Sequence, residues 1–319
     1  MAAGLLSVFA TAVLPVVAVA AVGFVLGRAR DVDPGPLNTV VVYVLAPALV
    51  FHSLATTDLG SGTLATLAGA VVAYHLGMIV VSEGVARGLG VDEPVRSAMV
   101  LTSSFPNSGN YGIPLSAFAF GAIGRSTAVV FLAVQSVLVY TVGVYVAARS
   151  GGTSGLAGVR RILTVPLIYA VLVALAARAL GVVPPEASTA MATAKLVGDA
   201  SIPVMLLILG IQLANTDYGA ALARVPTPTL LKTAVAPAVG LGVVLVAGFG
   251  EATVARTFVL EAAMPAAITP LILVGEFGGG TDGPVDVVEY VSATVLVTTL
   301  LSVPVLTALV ALLQSGLLI

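Results

Sequence analysis

Residues 97–122 read SAMVLTSSFPNSGNYGIPLSAFAFGA. Both ends are apolar enough for a bilayer, yet residues 105–114 at the centre hold two prolines, two glycines, two asparagines and a serine. Each proline removes a backbone donor and collides with the carbonyl four residues earlier. Glycine adds backbone freedom that a helix does not want. Unwound backbone in lipid leaves amides that cost several kcal/mol each, so it persists only inside protein or beside water. The stretch therefore predicts a broken membrane helix that frames something polar. Residues 261–271, EAAMPAAITPL, repeat the device with Pro265 and Pro270.

Composition places both stretches in a membrane. Of 319 residues, 59% are hydrophobic and 9% are charged, against about a quarter charged in soluble domains. Mean hydropathy is +1.13. A soluble fold cannot hide that much apolar surface. Spans need about 20 apolar residues, and ten windows qualify: 4–27, 37–55, 62–83, 95–121, 125–148, 161–181, 195–214, 228–249, 252–277 and 287–313. The first begins without the basic region of a secretory signal and reads as a membrane span.

The two broken windows are related. Ala55-Thr-Thr-Asp-Leu-Gly60 recurs as Ala214-Asn-Thr-Asp-Tyr-Gly219, and Phe105-Pro106 recurs as Met264-Pro265, both shifted by 159 residues. Two echoes at one shift predict two five-span repeats. Five is odd, so the second repeat enters the membrane inverted, as in secondary transporters whose substrates bind at the midplane between repeats. The expected fold is all-α, with ten transmembrane helices in two inverted repeats and broken helices 4 and 9 meeting at the centre. Residues 1–149 form the first repeat, 150–160 a cytoplasmic linker and 161–319 the second.

Orientation is read from cations. Arg28, Arg30, Arg87, Arg96, Arg149, Arg160, Arg161, Arg224 and Lys232 fall in loops on one face, and Arg125, Arg178, Lys195 and Arg256 on the other. The nine-to-four excess predicts that both termini lie outside.

Helix ends at two facing breaks direct N–H groups and partial positive charge into a shared cavity, which suits an anion. Asn107, Ser108 and Asn110 add neutral donors and acceptors. Ionisable residues at membrane depth are candidates for ion or proton coupling. Those are Asp199, four residues before Pro203, and Glu261, one turn before Pro265. His75 joins them because its reference pKa lies near 6.5. Glu276, Asp282, Asp286 and Glu289 read as a solvated rim.

Phe105-Pro-Asn-Ser-Gly-Asn-Tyr-Gly-Ile-Pro-Leu115 resembles the fourth-helix motif of the auxin efflux carrier family. Ala263-Met-Pro-Ala-Ala-Ile-Thr-Pro270, followed by Glu276-Phe277, resembles its ninth-helix motif. Asn38-Thr-Val-Val-Val-Tyr-Val-Leu-Ala-Pro-Ala-Leu49, Ile202-Pro203 and Leu209-Gly-Ile-Gln-Leu213 extend the likeness along nearly the whole chain. The resemblance implies a fold related to sodium/proton antiporters and bile-acid symporters. Spans 1, 2, 6 and 7 would form a scaffold, and spans 3–5 and 8–10 a moving transport domain. It also implies export or exchange of a small organic anion, auxin-like or a dicarboxylate, across the plasma membrane by an elevator motion. The implied substrate set is Pro106, Asn107, Ser108, Asn110, Gln135, Pro265, Thr269 and Pro270, and the implied assembly is a homodimer through the scaffold. The plant carriers have an acidic–basic pair in span 3, where this chain has His75 and Glu83. The alternative is a sodium- or proton-coupled uptake carrier of the bile-acid symporter type.

Other functions find little support. The chain has no cysteine and two histidines, His52 and His75, which excludes thiol chemistry and a multi-histidine metal centre. No cofactor is expected. No Gly-x-Ser-x-Gly or Asp-Asp-x-x-Asp pattern accompanies the serines and histidines, so an intramembrane enzyme is not expected. No basic tract points to nucleic acid.

Overall fold

The computed structural model describes residues 6–57, 59–149, 166–215, 225–277 and 286–319. Among these residues the regular structure is helical. We number the helices α1 (Leu6–Arg30), α2 (Pro34–Thr56), α3 (Ser61–Gly88), α4 (Val95–Ser104), α5 (Ser108–Ala148), α6 (Pro166–Ala179) and α7 (Thr189–Ala214). Then come α8 (Pro226–Ala247), α9 (Ala252–Ala262), α10 (Thr269–Phe277) and α11 (Val287–Gln314). The loop repeat at 214–219, the linker 150–160, Arg160, Arg161, Arg224 and Asp282 lie wholly or partly outside the described residues.

Seven of these helices are long and apolar enough to cross a membrane: α1, α2, α3, α5, α7, α8 and α11. The chain is a multi-pass membrane protein. Three of the others, α4, α9 and α10, are short for a local reason, and α6 is described from Pro166 onward. The window 95–121 divides at residues 105–107 and the window 252–277 at residues 263–268, each into pieces shorter than a full span. α5 continues from the second half of the fourth window through the fifth, turning at Gly121, whose φ of 64° suits glycine alone.

Four prolines inside spans are accommodated by one repeated device. Pro15, Pro47, Pro114 and Pro237 each follow a widened π-type turn, and the residue before each proline reaches back five residues. Thus Leu14 N–H donates to Phe9, Ala46 to Val41, Ile113 to Ser108 and Ala236 to Leu231. The longer reach makes room for the pyrrolidine ring where an ordinary turn would collide with it.

Helix contacts position the site. The second half of α7 lies along α1 so closely that a Cβ on Gly210 would meet the Ala20 carbonyl oxygen at 1.8 Å. α2 packs against α6 and the first half of α7. α3 packs on α4, α5 and α8, α9 lies against α5 and α8, and α10 lies against α11. Exposed leucines and valines such as Val80, Leu172 and Val246 cover the outer faces, as a lipid-facing surface permits.

Candidate functional site

The two interrupted helices cross at their breaks and are joined by backbone hydrogen bonds. Asn107 N–H donates to the Pro265 carbonyl at 2.8 Å, and Ala267 N–H donates to the Phe105 carbonyl at 3.0 Å. Pro106 and Ala266 sit opposite each other as one antiparallel bridge. Prolines fit here because the pairing takes donors only from Asn107 and Ala267, while Pro265 lends its carbonyl. The breaks therefore satisfy each other at a depth where lipid could not.

The first break is lined by polar side chains. Gln135 on α5 donates from Nε2 to the Pro106 carbonyl at 2.9 Å, and its Oε1 accepts from Ser108 Oγ at 3.1 Å. The same Oε1 lies 3.2 Å from His75 Nε2, while His75 Nδ1 lies 2.8 Å from the Val71 carbonyl. In front of this group is a cavity of about 200 Å³. One wall is the first break with α5, including Pro106, Asn107, Ser108, Asn110 and Gln135. Ile268 and Thr269 close it from the second break, and Asn38, Val41, Leu167 and Met205 face it from α2, α6 and α7.

The second break is buried at residues 264–266 and carries charge behind it. Ala266 N–H donates to Thr298 Oγ1 of α11 at 3.2 Å. The Ala262 carbonyl, at the end of α9, accepts from Tyr74 Oη at 2.9 Å and from Lys232 Nζ at 3.1 Å. Lys232 also reaches Tyr74 Oη at 3.2 Å. A cation on the last carbonyls of a helix is favourable. Glu261, fully buried, accepts at Oε1 from Ser116 Oγ at 2.7 Å. Its Oε2 has no hydrogen-bond partner and lies 2.3 Å from where a Cβ on Gly112 would stand. Only glycine lets α5 pass this carboxyl.

Most of the expected substrate residues come together here. Pro106, Asn107, Ser108, Asn110, Gln135 and Thr269 line the cavity. Pro265 and Pro270 are buried and are not part of its lining. Pro265 instead lends its carbonyl to the crossing from behind. The expectation of free helix-end amides needs correction, because the crossing takes up one of them and a local turn another. Asn107 N–H is held by Pro265, and Ser108 N–H donates to the Pro106 carbonyl at 2.9 Å. The next bond along α5 is Gly112 N–H to the Asn107 carbonyl, so the first-turn amides between them are the ones without a helical acceptor.

The three coupling candidates separate. His75 and Glu261 are fully buried beside the crossing. Asp199 is elsewhere, bridged by Arg125 at 2.6 Å and Lys195 at 2.5 Å, with its side chain 39% exposed. Glu83 also lies away from the cavity, paired with Arg87 at 2.9 Å and Arg149 at 2.9 Å. Sequence reasoning misplaced Lys232. It was counted as a loop cation, but α8 begins at Pro226 and buries it completely, so it drops out of the orientation tally. A lysine two turns inside an apolar helix was the signal for this.

The chain matches the family described as "Membrane transport protein" over residues 8–157 and 153–310. It is 27% identical over 280 residues to an "Uncharacterized transporter" of Methanothermobacter thermautotrophicus, covering 87% of this chain and 88% of that protein. It is 26% identical over 317 residues to a Rhizobium meliloti protein named "Putative malonate transporter", covering 95% of each. The described crossing motifs and the family match agree, and the chain belongs to the membrane transport protein family, the auxin efflux carriers, which are transporters and not enzymes.

Proposed function

We propose that this protein is a secondary transporter that carries a small carboxylate across the plasma membrane, binding it in the cavity at the crossed breaks. One observation carries the reading: the cavity is walled by the interrupted backbone of α4–α5 on one side and by α2, α6 and α7 on the other. A site bounded by two packing groups can open to either membrane face if one group moves against the other. The packing supports α1, α2, α6 and α7 as the scaffold and the remaining helices as the mobile unit. The crossing of Pro106 and Ala266 supports two inverted repeats. Cation placement, without Lys232, still favours both termini outside.

In this reading the carboxylate accepts from Asn107 and Asn110 and from first-turn amides of α5, with Gln135 and Ser108 fixing the wall behind it. Thr269 closes the pocket from the second break. The volume suits a small acid, and malonate is the first substrate to try because a relative matching 95% of the chain carries that name. A second copy would pair through the scaffold and leave the mobile unit free.

The test is counterflow of labelled malonate and other short carboxylates in proteoliposomes, with and without sodium. Accumulation that Asn107→Ala abolishes supports the reading. A panel of carboxylates that neither exchange nor raise the melting temperature would overturn the substrate class. Strict sodium dependence would favour the bile-acid symporter type.

A further inference from the structure

Behind the cavity lies a hydrogen-bonded chain whose donors and acceptors do not balance. The Val71 carbonyl can only accept, so His75 Nδ1, 2.8 Å away, carries a proton. The Pro106 carbonyl can only accept, so the Gln135 atom 2.9 Å from it is the amide nitrogen. Gln135 Oε1 is therefore turned to His75 Nε2 at 3.2 Å. In a neutral imidazole protonated at Nδ1, Nε2 holds a lone pair, and it faces the oxygen lone pairs of the amide. Rotating the amide by half a turn sets oxygen against the Pro106 oxygen instead. Ser108 does not mend the mismatch, since its hydroxyl already donates to Oε1 at 3.1 Å. One more proton, on Nε2, satisfies every contact.

That proton brings a charge with it. His75 is fully buried, with the rings of Tyr74, Phe105 and Phe131 centred 5.0, 5.3 and 5.5 Å away. A buried imidazolium needs a compensating charge. The charged group that acts on it from α8 is Lys232, of the wrong sign. Glu261 of α9 accepts from Ser116 and is itself opposed by Lys232. α3 contributes Tyr74 and α5 contributes Gln135, both neutral. The missing negative charge is an anion in the cavity, separated from His75 by the Gln135 and Ser108 side chains that line it.

We infer that His75 takes up one proton when an anion enters the cavity and releases it when the anion leaves, so that proton and anion occupy the protein together. This rests on the carboxylate reading above for the identity of the anion, but not for the proton site. The proton enters from water with the anion and returns to water with it, and no bond other than N–H forms or breaks.

The test uses the full chain in lipid nanodiscs, labelled with 15N-histidine and carrying His52→Gln, so that His75 is the remaining imidazole. Without ligand the spectrum should show one protonated and one bare ring nitrogen. Saturating malonate should convert both to protonated. Asn107→Asp, which fixes a carboxylate in the cavity, should do the same with no ligand, and Asn110→Asp replaces it if that variant does not fold. Malonate affinity should weaken by about tenfold per pH unit above the titration of the free site, and His75→Gln should flatten that slope. If Asn107→Asp protonates His75 while malonate leaves spectrum and melting temperature untouched, the proton site stands and malonate falls. Unchanged protonation of His75 in the ligand-free, malonate-bound and Asp-bearing proteins would overturn the inference.

Discussion

The two breaks share one backbone solution and differ in everything around it. At residues 105–107 the chain faces an open cavity, and neutral amides and hydroxyls from Asn107, Ser108, Asn110 and Gln135 surround it. At residues 264–267 the chain is buried, flanked by alanines, and the ionisable groups Lys232 and Glu261 are sealed behind it. Neutral polar groups are cheap to rehydrate and can exchange water for a ligand. Buried charges are costly to disturb, because removing one partner strands the other. The first break is thus suited to binding and the second to holding the crossing rigid.

Substitutions should separate these roles. The largest effect is expected behind the second break. Lys232→Met removes a charged hydrogen-bond donor from the Ala262 carbonyl and Tyr74, and should lower stability by about 3 kcal/mol, read as a drop in melting temperature in detergent. Next is Asn107→Ala on the wet side. It should leave the melting temperature unchanged but weaken carboxylate binding by about 2 kcal/mol, roughly thirtyfold. Thr298→Val strands the Ala266 amide and should cost about 1 kcal/mol of stability with little change in ligand affinity. The smallest effect belongs to Asp199→Asn. Its pairs with Arg125 and Lys195 are partly exposed, and such pairs contribute at most about 1 kcal/mol. Transport by this variant should match the unsubstituted protein in proteoliposomes, and a loss of transport would return Asp199 to the coupling machinery.

Much of this was legible from residue order because the bilayer imposes simple rules. Apolar windows found the helices, and prolines at 106 and 265, related by one shift, found the breaks. The spans came out longer in the reading than in the molecule where breaks divide them, since hydropathy cannot see a change of backbone direction. Three features were not legible. Lys232 lies near the edge of the window 228–249, and the helix extends further back, to Pro226, so the lysine is buried in a span where a loop was expected. Gln135 entered only through family resemblance, since a lone glutamine in an apolar helix does not reveal that it faces Pro106 and His75. The capture of the Asn107 amide by Pro265 depends on how the two breaks approach each other, which no local pattern encodes.

Alternating access requires the cavity beside the first break to open to both sides of the membrane in turn. The chain has no cysteine, so Ser136→Cys, on the cavity wall, gives a single reporter. In oriented proteoliposomes the thiol should react with a membrane-impermeant maleimide added to either face, and saturating substrate should slow the reaction. Labelling from one face only, with and without substrate, would contradict alternating access.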